Sequence, residues 1–509
     1  MTSSIKNILK LVFSTIGSRL IGLVRDVLML AYMALSGVNS AFLFAFTLPN
    51  LLRRLMGEGA LSAALVPIFT EEKEKNGLDK AYAFLNKVLS RAGVFLLGFV
   101  ILTMLLCAIF YLCTEPSSRF NLGALFLFLM IPFSFFICLA ALLVSATNVL
   151  GSFGIPSLGA IALNVSMVVA LLLGAYFTQD AVGIALYLCV GVLIGGLIHF
   201  ALPIWVLAKK GWRFNFDLSP SAELNALLAL FLPALLGASI VQINMLLSKT
   251  FGFFIQESAL SILYISQRLI ELPLGVFTIA VVTVYFPKLA SINISGNATE
   301  YIKQYSKAMT AIMAISLPAC LGLVIFAQDI LSLLFQWKNF GAEEVSACVP
   351  VLIVGALSLP FISFSSLAVR AFYSKHNTKT PLQVSILVFI VNIGLSFALM
   401  FEYGVMGLAV ASLISAIVQY IALQYLFNRQ IAKLNIYNSS FFKILLSSLI
   451  MGGVGIVMRE IFATQFEGKL LAGIICFVVL ALCAIIYFAC LYLLELDELR
   501  DFKLMRRKL

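Results

Sequence analysis

The sequence predicts an all-α integral membrane protein with fourteen transmembrane helices. Of its 509 residues, 62% are hydrophobic and only 11% are charged, whereas soluble domains have about 45–50% apolar and about 25% charged residues. A membrane-spanning helix needs about 20 mainly apolar residues, and such segments recur along the whole chain. We place the spans near 8–35, 41–66, 88–113, 121–147, 157–177, 182–208, 225–254, 259–286, 308–331, 345–372, 382–402, 404–428, 440–463 and 468–494.

The distribution of basic residues predicts that both termini are cytoplasmic. Most of the 34 Lys and Arg residues lie in the terminal segments and the even-numbered connections. The odd-numbered connections hold only Arg119, Lys338, Arg459 and Lys469. Cytoplasmic connections retain an excess of Lys and Arg, so topology accounts for the net charge of +11. We therefore expect no nucleic-acid partner, because no basic stripe lies on a soluble domain.

The composition of reactive residues argues against metal, disulfide or catalytic chemistry. The nine cysteines lie almost wholly in apolar segments without a CxxC pair, and there are two histidines, so the ligand spacing of zinc and iron–sulfur sites is absent. Cys476, Cys483 and Cys490 repeat every seven residues, which indicates a packing seam on one helix face; a redox or metal stripe is the alternative. The connections are too short for a catalytic domain. We predict no catalytic residue, metal site or cofactor.

A small set of charges remains inside the predicted spans. The basic members are Arg19, Arg25, Arg53, Arg54, Lys249 and Arg268, and the acidic members are Asp26, Glu58 and Glu271. Each charge costs about 2.5–3.5 kcal/mol at mid-span on insertion scales, so such residues usually face a cavity or a partner. Arginine offers a planar fork that fits phosphate oxygens. The excess of arginine therefore predicts a site for an anionic, lipid-linked diphosphate.

The basic residues inside the predicted spans have two possible interpretations: a position at the membrane interface or a place in a binding cavity. Arg54 and Lys249 fit a position near a span end, where the side chain reaches the interface, as well as they fit a cavity. For Arg19, Arg25, Arg53 and Arg268 the binding interpretation is stronger. The spacing places Asp26 on the helix face of Arg19, and Glu271 one turn from Arg268. We interpret these carboxylates as partners of the arginines rather than as catalytic acids.

Helix-breaking residues single out the second and eighth spans. Each combines arginine and glutamate with proline and glycine: Pro49, Gly57 and Gly59 in the second, and Pro273 and Gly275 in the eighth. Paired interrupted helices at matching positions of two halves indicate the central site of a transporter. We therefore divide the chain into an N-terminal lobe at 1–215, a C-terminal lobe at 216–435, and two extra helices with a cytoplasmic tail at 436–509.

Several segments resemble the MurJ (MviN) family of lipid II flippases. They are 18–26 (SRLIGLVRD), 48–59 (LPNLLRRLMGEG), 66–67, 163–166 (LNVS), 268–275, 334–336, 371–374 and 379–381. The resemblance implies two six-helix lobes around a central cavity, with two C-terminal helices forming a groove for the lipid tail. It also implies flipping of the undecaprenyl-diphosphate-linked peptidoglycan precursor across the bacterial inner membrane by alternating access. The family's cavity arginines correspond to Arg19, Arg25, Arg53 and Arg268, and its supporting polar positions to Asp26, Asn50, Glu58 and Glu271.

The sequence departs from the resembled family at two acidic positions, which are Ser40 and Gln267 here. The sodium site of some relatives has only polar candidates, Gln242, Asn244 and Asn392. We therefore expect no ion coupling or gating through carboxylates at Ser40 and Gln267. Because moving a charge through the membrane potential is worth about 2.3 kcal/mol per 100 mV, we expect coupling to the membrane potential or to a monovalent cation, without a bound cofactor. The expected partners are lipid II, membrane lipids and other cell-wall synthesis proteins, and the expected state is a monomer.

Three other functions compete with this interpretation. The nearest is a flippase for a different polyprenyl-diphosphate-linked oligosaccharide. A membrane-embedded polyprenyl-phosphate transferase would also use arginines, but it would normally carry an acidic metal site or a sizeable loop domain. A drug or cation antiporter would need buried carboxylates for its cargo, whereas this chain has excess buried arginine.

Overall fold

The structure is a computed structural model that describes residues 3–57, 60–116, 118–434, 439–463 and 469–494. These residues form helices joined by short connections, and none of them lies in a β-strand, which confirms the all-α prediction. Ten helical segments within the described ranges are long and apolar enough to cross a membrane. The chain is thus a multi-pass membrane protein, while the count of fourteen spans is not confirmed.

The helices are numbered in chain order. The first ten are α1 (Ser3–Met33), α2 (Gly37–Leu52), α3 (Ala60–Asn76), α4 (Leu78–Cys113), α5 (Arg119–Met130), α6 (Pro132–Val149), α7 (Gly154–Ser157), α8 (Gly159–Phe177), α9 (Ala181–Lys209) and α10 (Ala222–Ile255). The others are α11 (Ala259–Pro273), α12 (Ile279–Ser295), α13 (Ala298–Ile325), α14 (Ala327–Phe335), α15 (Ala342–Leu357), α16 (Leu359–Ser374), α17 (Lys379–Gln430), α18 (Ser439–Ala463) and α19 (Lys469–Leu493). Two π-helical segments, Arg53–Gly57 and Leu274–Thr278, follow α2 and α11.

Proline and glycine determine where several of the predicted spans are interrupted or end. The predicted span 121–147 is divided between α5 and α6 at Pro132, which lacks the N–H that a continuous helix requires. The predicted spans 382–402 and 404–428 correspond to the two helical parts of α17, which meet at a kink at Gly404 with φ 56° and ψ −132°, so the predicted boundary is confirmed. Glycine adopts such positive φ values readily because it has no Cβ.

The chain forms two compact units. The first runs to Ser261 and also includes Trp337–Phe340, and the second comprises Ile262–Gln336 and the chain from Gly341 onward. In this grouping α10 belongs to the first unit, and α18 and α19 belong to the second. The division at residues 215 and 435 remains a prediction.

Small residues allow α8 and α9 of the first unit to approach closely. A Cβ at Gly191 would lie 2.9 Å from the main-chain oxygen of Ser166, and one at Gly195 would lie 2.8 Å from the Cα of Leu163. The hydroxyl of Ser166 donates to the carbonyl of Gly191 at 2.9 Å. Membrane helices associate through such small residues and interhelical hydrogen bonds, since lipid tails are as apolar as the helices.

The second unit has a core of stacked aromatic residues joined to the C-terminal helices. The rings of Tyr305 on α13 and Phe427 on α17 stack with centroids 4.3 Å apart. Cys483 and Tyr487 on α19 are buried in the same cluster, and the Tyr487 hydroxyl donates to the carbonyl of Ala314 at 2.7 Å. Cys483 therefore has the packing environment that the seven-residue repeat predicts.

An ion pair attaches the C-terminal end of α18 to α14 within the second unit. The Nε atom of Arg459 is 2.7 Å from Oδ2 of Asp329 on α14, and its Nη2 donates to Gln328 at 3.2 Å. A two-point contact of this kind orients a guanidinium more firmly than a single exposed ion pair. The C-terminal helices are thus attached to their unit by both apolar and charged contacts.

Replacing Gly191 with Ala tests the close approach of α8 and α9. The added methyl group would overlap the main chain of α8, and overpacking costs about 1–3 kcal/mol, so we expect a lower thermal unfolding temperature of the purified protein. Gly98→Ala on α4 is the matched control, because nothing lies within 4 Å of the added carbon. Equal unfolding temperatures for the two variants would contradict the observed packing.

Candidate functional site

Arg25 on α1 forms the most buried charged group described in the first unit. Its Nη2 atom is 2.6 Å from Oδ1 of Asp26, and its Nε donates to the same oxygen at 3.0 Å. Its Nη1 donates to Oδ1 of Asn164 on α8 at 3.0 Å. Only 7% of Arg25 and 1% of Asp26 are exposed. A buried ion pair of this kind is tolerated when additional hydrogen bonds satisfy it, and Asn164 supplies one.

Asn164 also holds α1 at a second point. Its side-chain nitrogen donates to the main-chain oxygen and to the hydroxyl of Ser18, both at 3.1 Å. The two contacts lie about two helical turns apart on α1, so one amide fixes both the position and the rotation of that helix. Arg19 follows Ser18 directly and is exposed. No role was predicted for Asn164, although a polar amide inside an apolar span indicates a buried hydrogen-bonding position.

The spacing of residues along a helix did not predict the pairing of Arg25 with Asp26. It placed Asp26 on the face of Arg19, because residues three, four or seven apart share a helix face whereas neighbours do not. In the structure the long side chain of Arg25 folds back onto the carboxylate beside it. Asp26 is therefore engaged by Arg25, a partner that periodicity alone does not identify.

The second predicted group lies where α2 passes into a π-helical segment. Arg53 begins this segment, and its Nε donates to Oδ1 of Asn50 at 2.9 Å. Arg53 is half-buried. π-Helical turns are frequent at functional sites because they displace side chains from the regular helical register. Glu58, the acidic residue predicted for this group, lies outside the described residues.

Arg54 and Lys249, for which the sequence left two readings, are half-buried in the first unit. The Nη1 atom of Arg54 is 3.5 Å from the sulfur of Met245 on α10. The ammonium of Lys249 is 3.5 Å from the hydroxyl of Thr47 on α2. Lys249 thus lies where α10 meets α2, and Arg54 lies where α10 meets the π-helical segment Arg53–Gly57.

The second unit carries the remaining predicted residues on α11. Arg268 is half-buried, and its Nη1 is 3.5 Å from Oε2 of Glu271. Its guanidinium lies 5.6 Å from the ring centre of Tyr264. Gln267 donates to Glu271 at 3.1 Å, so the carboxylate receives both a cation and an amide. The π-helical segment Leu274–Thr278 follows α11 directly, as the other follows α2.

Ser40, one of the two departures from the acidic pattern, is fully buried in the first unit. Its hydroxyl donates to the main-chain carbonyl of Glu257 and lies 3.1 Å from the hydroxyl of Ser261. A neutral hydroxyl satisfied in this way carries no charge at this position. Any ion coupling through a carboxylate at this position is therefore absent in this chain.

The structure thus arranges the predicted arginines in three local groups and one exposed position. Arg25 with Asp26, and Arg53 with Asn50, lie in the first unit. Arg268 with Glu271 lies in the second. The convergence of all four arginines on one cavity stays a prediction.

The comparisons with known proteins give a consistent result. The family model described as lipid II flippase MurJ matches residues 29–477. A probable lipid II flippase MurJ of Haemophilus influenzae is 31% identical over 471 residues, which cover 86% of this chain and 89% of that protein. The corresponding protein of Vibrio cholerae is 33% identical, over 79% of this chain and 78% of its own length.

This chain belongs to the MurJ family of lipid II flippases. A solved lipid II flippase MurJ in an inward closed conformation superposes with a TM-score of 0.78 and 25% identity, covering 95% of this chain and 99% of that one. The MurJ family consists of lipid transporters, so the chain is a transporter rather than an enzyme, and a multi-pass protein of the inner membrane.

The MurJ fold is shared with transporters of a wider superfamily. A multidrug resistance MATE transporter of the MOP superfamily superposes with a TM-score of 0.66 and 14% identity, over 81% of this chain and 94% of that one. At this identity the likeness concerns the fold alone.

The polar candidates for a cation site are distributed over both units. Asn392 on α17 is buried in the second unit and donates to the hydroxyl of Ser415 at 3.2 Å. Gln242 and Asn244 lie on α10 in the first unit. Among the described residues no group of three or more His, Cys, Asp or Glu side chains could hold a metal ion.

Replacing Arg25 with Ala tests its structural role. Removal of one partner from a buried ion pair costs about 3–5 kcal/mol, because the other charge remains buried. We expect a markedly lower unfolding temperature in detergent and a lower yield of folded protein. Arg19→Ala removes an exposed guanidinium from the same helix and should leave the unfolding temperature unchanged. Equal stability of the two variants would show that the contacts of Arg25 do not hold α1 in place.

Proposed function

We propose that this chain carries lipid II from the cytoplasmic to the periplasmic leaflet by alternating access, with the arginines of its interrupted helices binding the diphosphate. The proposal rests above all on the family match, which extends over residues 29–477. Lipid II leaves the protein chemically intact, so the required chemistry is binding and release. Buried cations accessible to an anionic headgroup supply that chemistry.

Exposure separates the four arginines into two roles. Arg19 is exposed, and Arg53 and Arg268 are half-buried, so their guanidinium groups can reach a ligand and bind phosphate oxygens through two parallel hydrogen bonds. Arg25 is already engaged by Asp26 and Asn164. We assign it to positioning α1, and thereby Arg19, rather than to direct binding.

The polar partners of the accessible arginines fit this assignment. Asn50 accepts a hydrogen bond from the Nε atom of Arg53 at 2.9 Å and thereby orients its guanidinium. Glu271 lies 3.5 Å from Arg268, a distance that permits exchange for a phosphate. Arg53 begins one π-helical segment, and Arg268 lies on the helix that leads into the other. Irregular main chain of this kind is tolerated at membrane depth only against protein or water. A wet cavity at both segments is therefore part of the proposal.

The remaining elements of the proposal concern topology and energy. We place both termini in the cytoplasm, because basic residues concentrate in the connections that this orientation puts there. The mostly uncharged helices α18 and α19 expose large apolar side chains such as Phe477 and Phe488, which suits contact with an isoprenoid tail. We further propose a monomer that works beside other cell-wall synthesis proteins and without a cofactor.

Single replacements of the accessible arginines test the binding role. Arg19→Ala, Arg53→Ala and Arg268→Ala each remove charged hydrogen bonds worth about 1.5–3 kcal/mol, so lipid II affinity should fall about 10- to 100-fold. Replacement by Lys keeps the charge but loses the fork, and the loss should be intermediate. The measurements are lipid II binding by the purified variants and the leaflet distribution of lipid II in cells that depend on each variant.

The matched control is Arg429→Ala, which removes an exposed arginine from the end of α17 and should leave transport unchanged. Normal transport by all three test variants would contradict the binding role of the arginines. Accumulation of a different lipid-linked glycan on depletion of the wild-type protein would instead favour a flippase for another polyprenyl-diphosphate carrier.

Movement of the positively charged site through the membrane potential during transport should make the transport rate depend on voltage. Moving one elementary charge through the membrane potential is worth about 2.3 kcal/mol per 100 mV. We expect the transport rate in proteoliposomes to change when a potassium diffusion potential is imposed with valinomycin, and to change again when its sign is reversed. Replacing sodium with choline at constant potential separates a cation requirement from a voltage effect. A rate that is independent of both would contradict the proposed coupling.

A further inference from the structure

The first unit contains an apolar cavity that the proposed transport mechanism does not use. Its volume is about 350 Å³. It is bounded by parts of α2, α4, α5 and α10, and its lining is almost entirely apolar. The lining residues are Phe44, Thr103, Leu106, Cys107, Phe110, Phe120, Gly123, Ala124, Leu127, Phe253 and Phe254.

Four phenylalanines form a firm wall of this cavity. The rings of Phe44 and Phe253 are parallel with centroids 4.3 Å apart, and Phe120 meets Phe253 edge to face at 5.4 Å. Phe253 is 2% exposed, whereas Phe254 is 58% exposed. Aromatic pairs in these geometries add stability beyond the area that they bury. These ring contacts fix the wall in place, and the exposed Phe254 extends it to the surface of the first unit.

The cavity opens on a surface that faces hydrocarbon. Leu106 and Phe110 line it and are themselves strongly exposed, on a helix whose neighbouring large apolar residues are exposed as well. In a membrane protein such a surface contacts lipid tails. An empty space there would leave its lining atoms without contacts on one side, and a flexible hydrocarbon chain from the bilayer restores those contacts.

The cation Arg119 lies at one end of the cavity. Arg119 begins α5, and its guanidinium lies 5.1 Å from the ring centre of Phe120 and 5.8 Å from that of Phe253. Its Nη2 donates to the main-chain oxygen of Phe254 at 3.0 Å. An arginine at the end of a hydrocarbon-lined cavity complements an anionic headgroup whose chain enters the cavity.

We propose that this cavity binds one acyl chain of an anionic phospholipid, with Arg119 contacting the headgroup phosphate. The occupant is a lipid of the surrounding bilayer, distinct from the transported substrate. A bound acyl chain would fill the space between α4 and α5 and support the packing of the Phe44–Phe253 stack. The carboxylate of Glu257 and the Cβ of Arg119 both lie close to Gly37. Because this negative charge weakens the attraction of Arg119 for an anionic headgroup, we expect only a modest preference for anionic lipids.

Photolabelling in nanodiscs tests the site. The full-length protein is labelled with a phospholipid that carries a diazirine in its acyl chain, and the modified peptides are mapped by mass spectrometry. We expect labels to concentrate on the lining residues of α4 and α5. Unlabelled phosphatidylglycerol should compete about fivefold better than phosphatidylcholine, and Arg119→Gln should remove that difference.

Two leucines of α4 provide a matched pair of variants. Leu105 and Leu106 are both 57% exposed, but only Leu106 lines the cavity. Leu106→Trp should reduce labelling of the lining at least about fivefold by filling the space, whereas Leu105→Trp should not. Equal labelling in the two variants, or labels spread evenly along α4, would overturn the proposal. Preferential labelling by a diazirine polyisoprenyl diphosphate would also overturn it, because the occupant would then be the tail of the substrate.

Discussion

The rest of the structure depends on how the chain compensates charge at membrane depth. An ionised side chain there needs a partner, a cavity or a ligand, since hydrocarbon offers none of the hydrogen bonds of water. Arg25 meets this constraint within the protein, through Asp26 and the amide of Asn164. That contact fixes α1 against α8, and the same amide binds the turn that precedes the exposed Arg19. The buried contacts of Arg25 thereby help to position the exposed Arg19.

The interrupted helices extend this constraint to both units. Arg53 begins the π-helical segment that follows α2, and Arg268 lies about two helical turns before the segment that follows α11. Both helices contain a proline near their C-terminal end. A polar side chain orients each arginine: Asn50 accepts from Arg53 at 2.9 Å, and Glu271 lies 3.5 Å from Arg268. The arrangement favours a site that binds an anion reversibly, as a carrier requires.

Much of this arrangement follows from the sequence, because the membrane makes apolar length and excess charge unusually informative. The all-α class, the membrane location and the arginines of interest were predictable on that basis. The pairing of Arg25 with Asp26 was not, since adjacent residues point in different directions on an ideal helix and the fold-back depends on Asn164 from a distant span. The division at Pro132 was likewise hidden, because hydropathy does not register a change of backbone direction, whereas the break of α17 at Gly404 falls at a predicted span boundary.

The most direct test of the central claim is a structure of the purified protein with lipid II bound, determined in nanodiscs. We expect oxygens of the diphosphate to lie about 3 Å from the guanidinium nitrogens of Arg53 and Arg268, while Arg25 keeps its contacts with Asp26 and Asn164. A headgroup bound away from these arginines, with the diphosphate held by other residues, would contradict it.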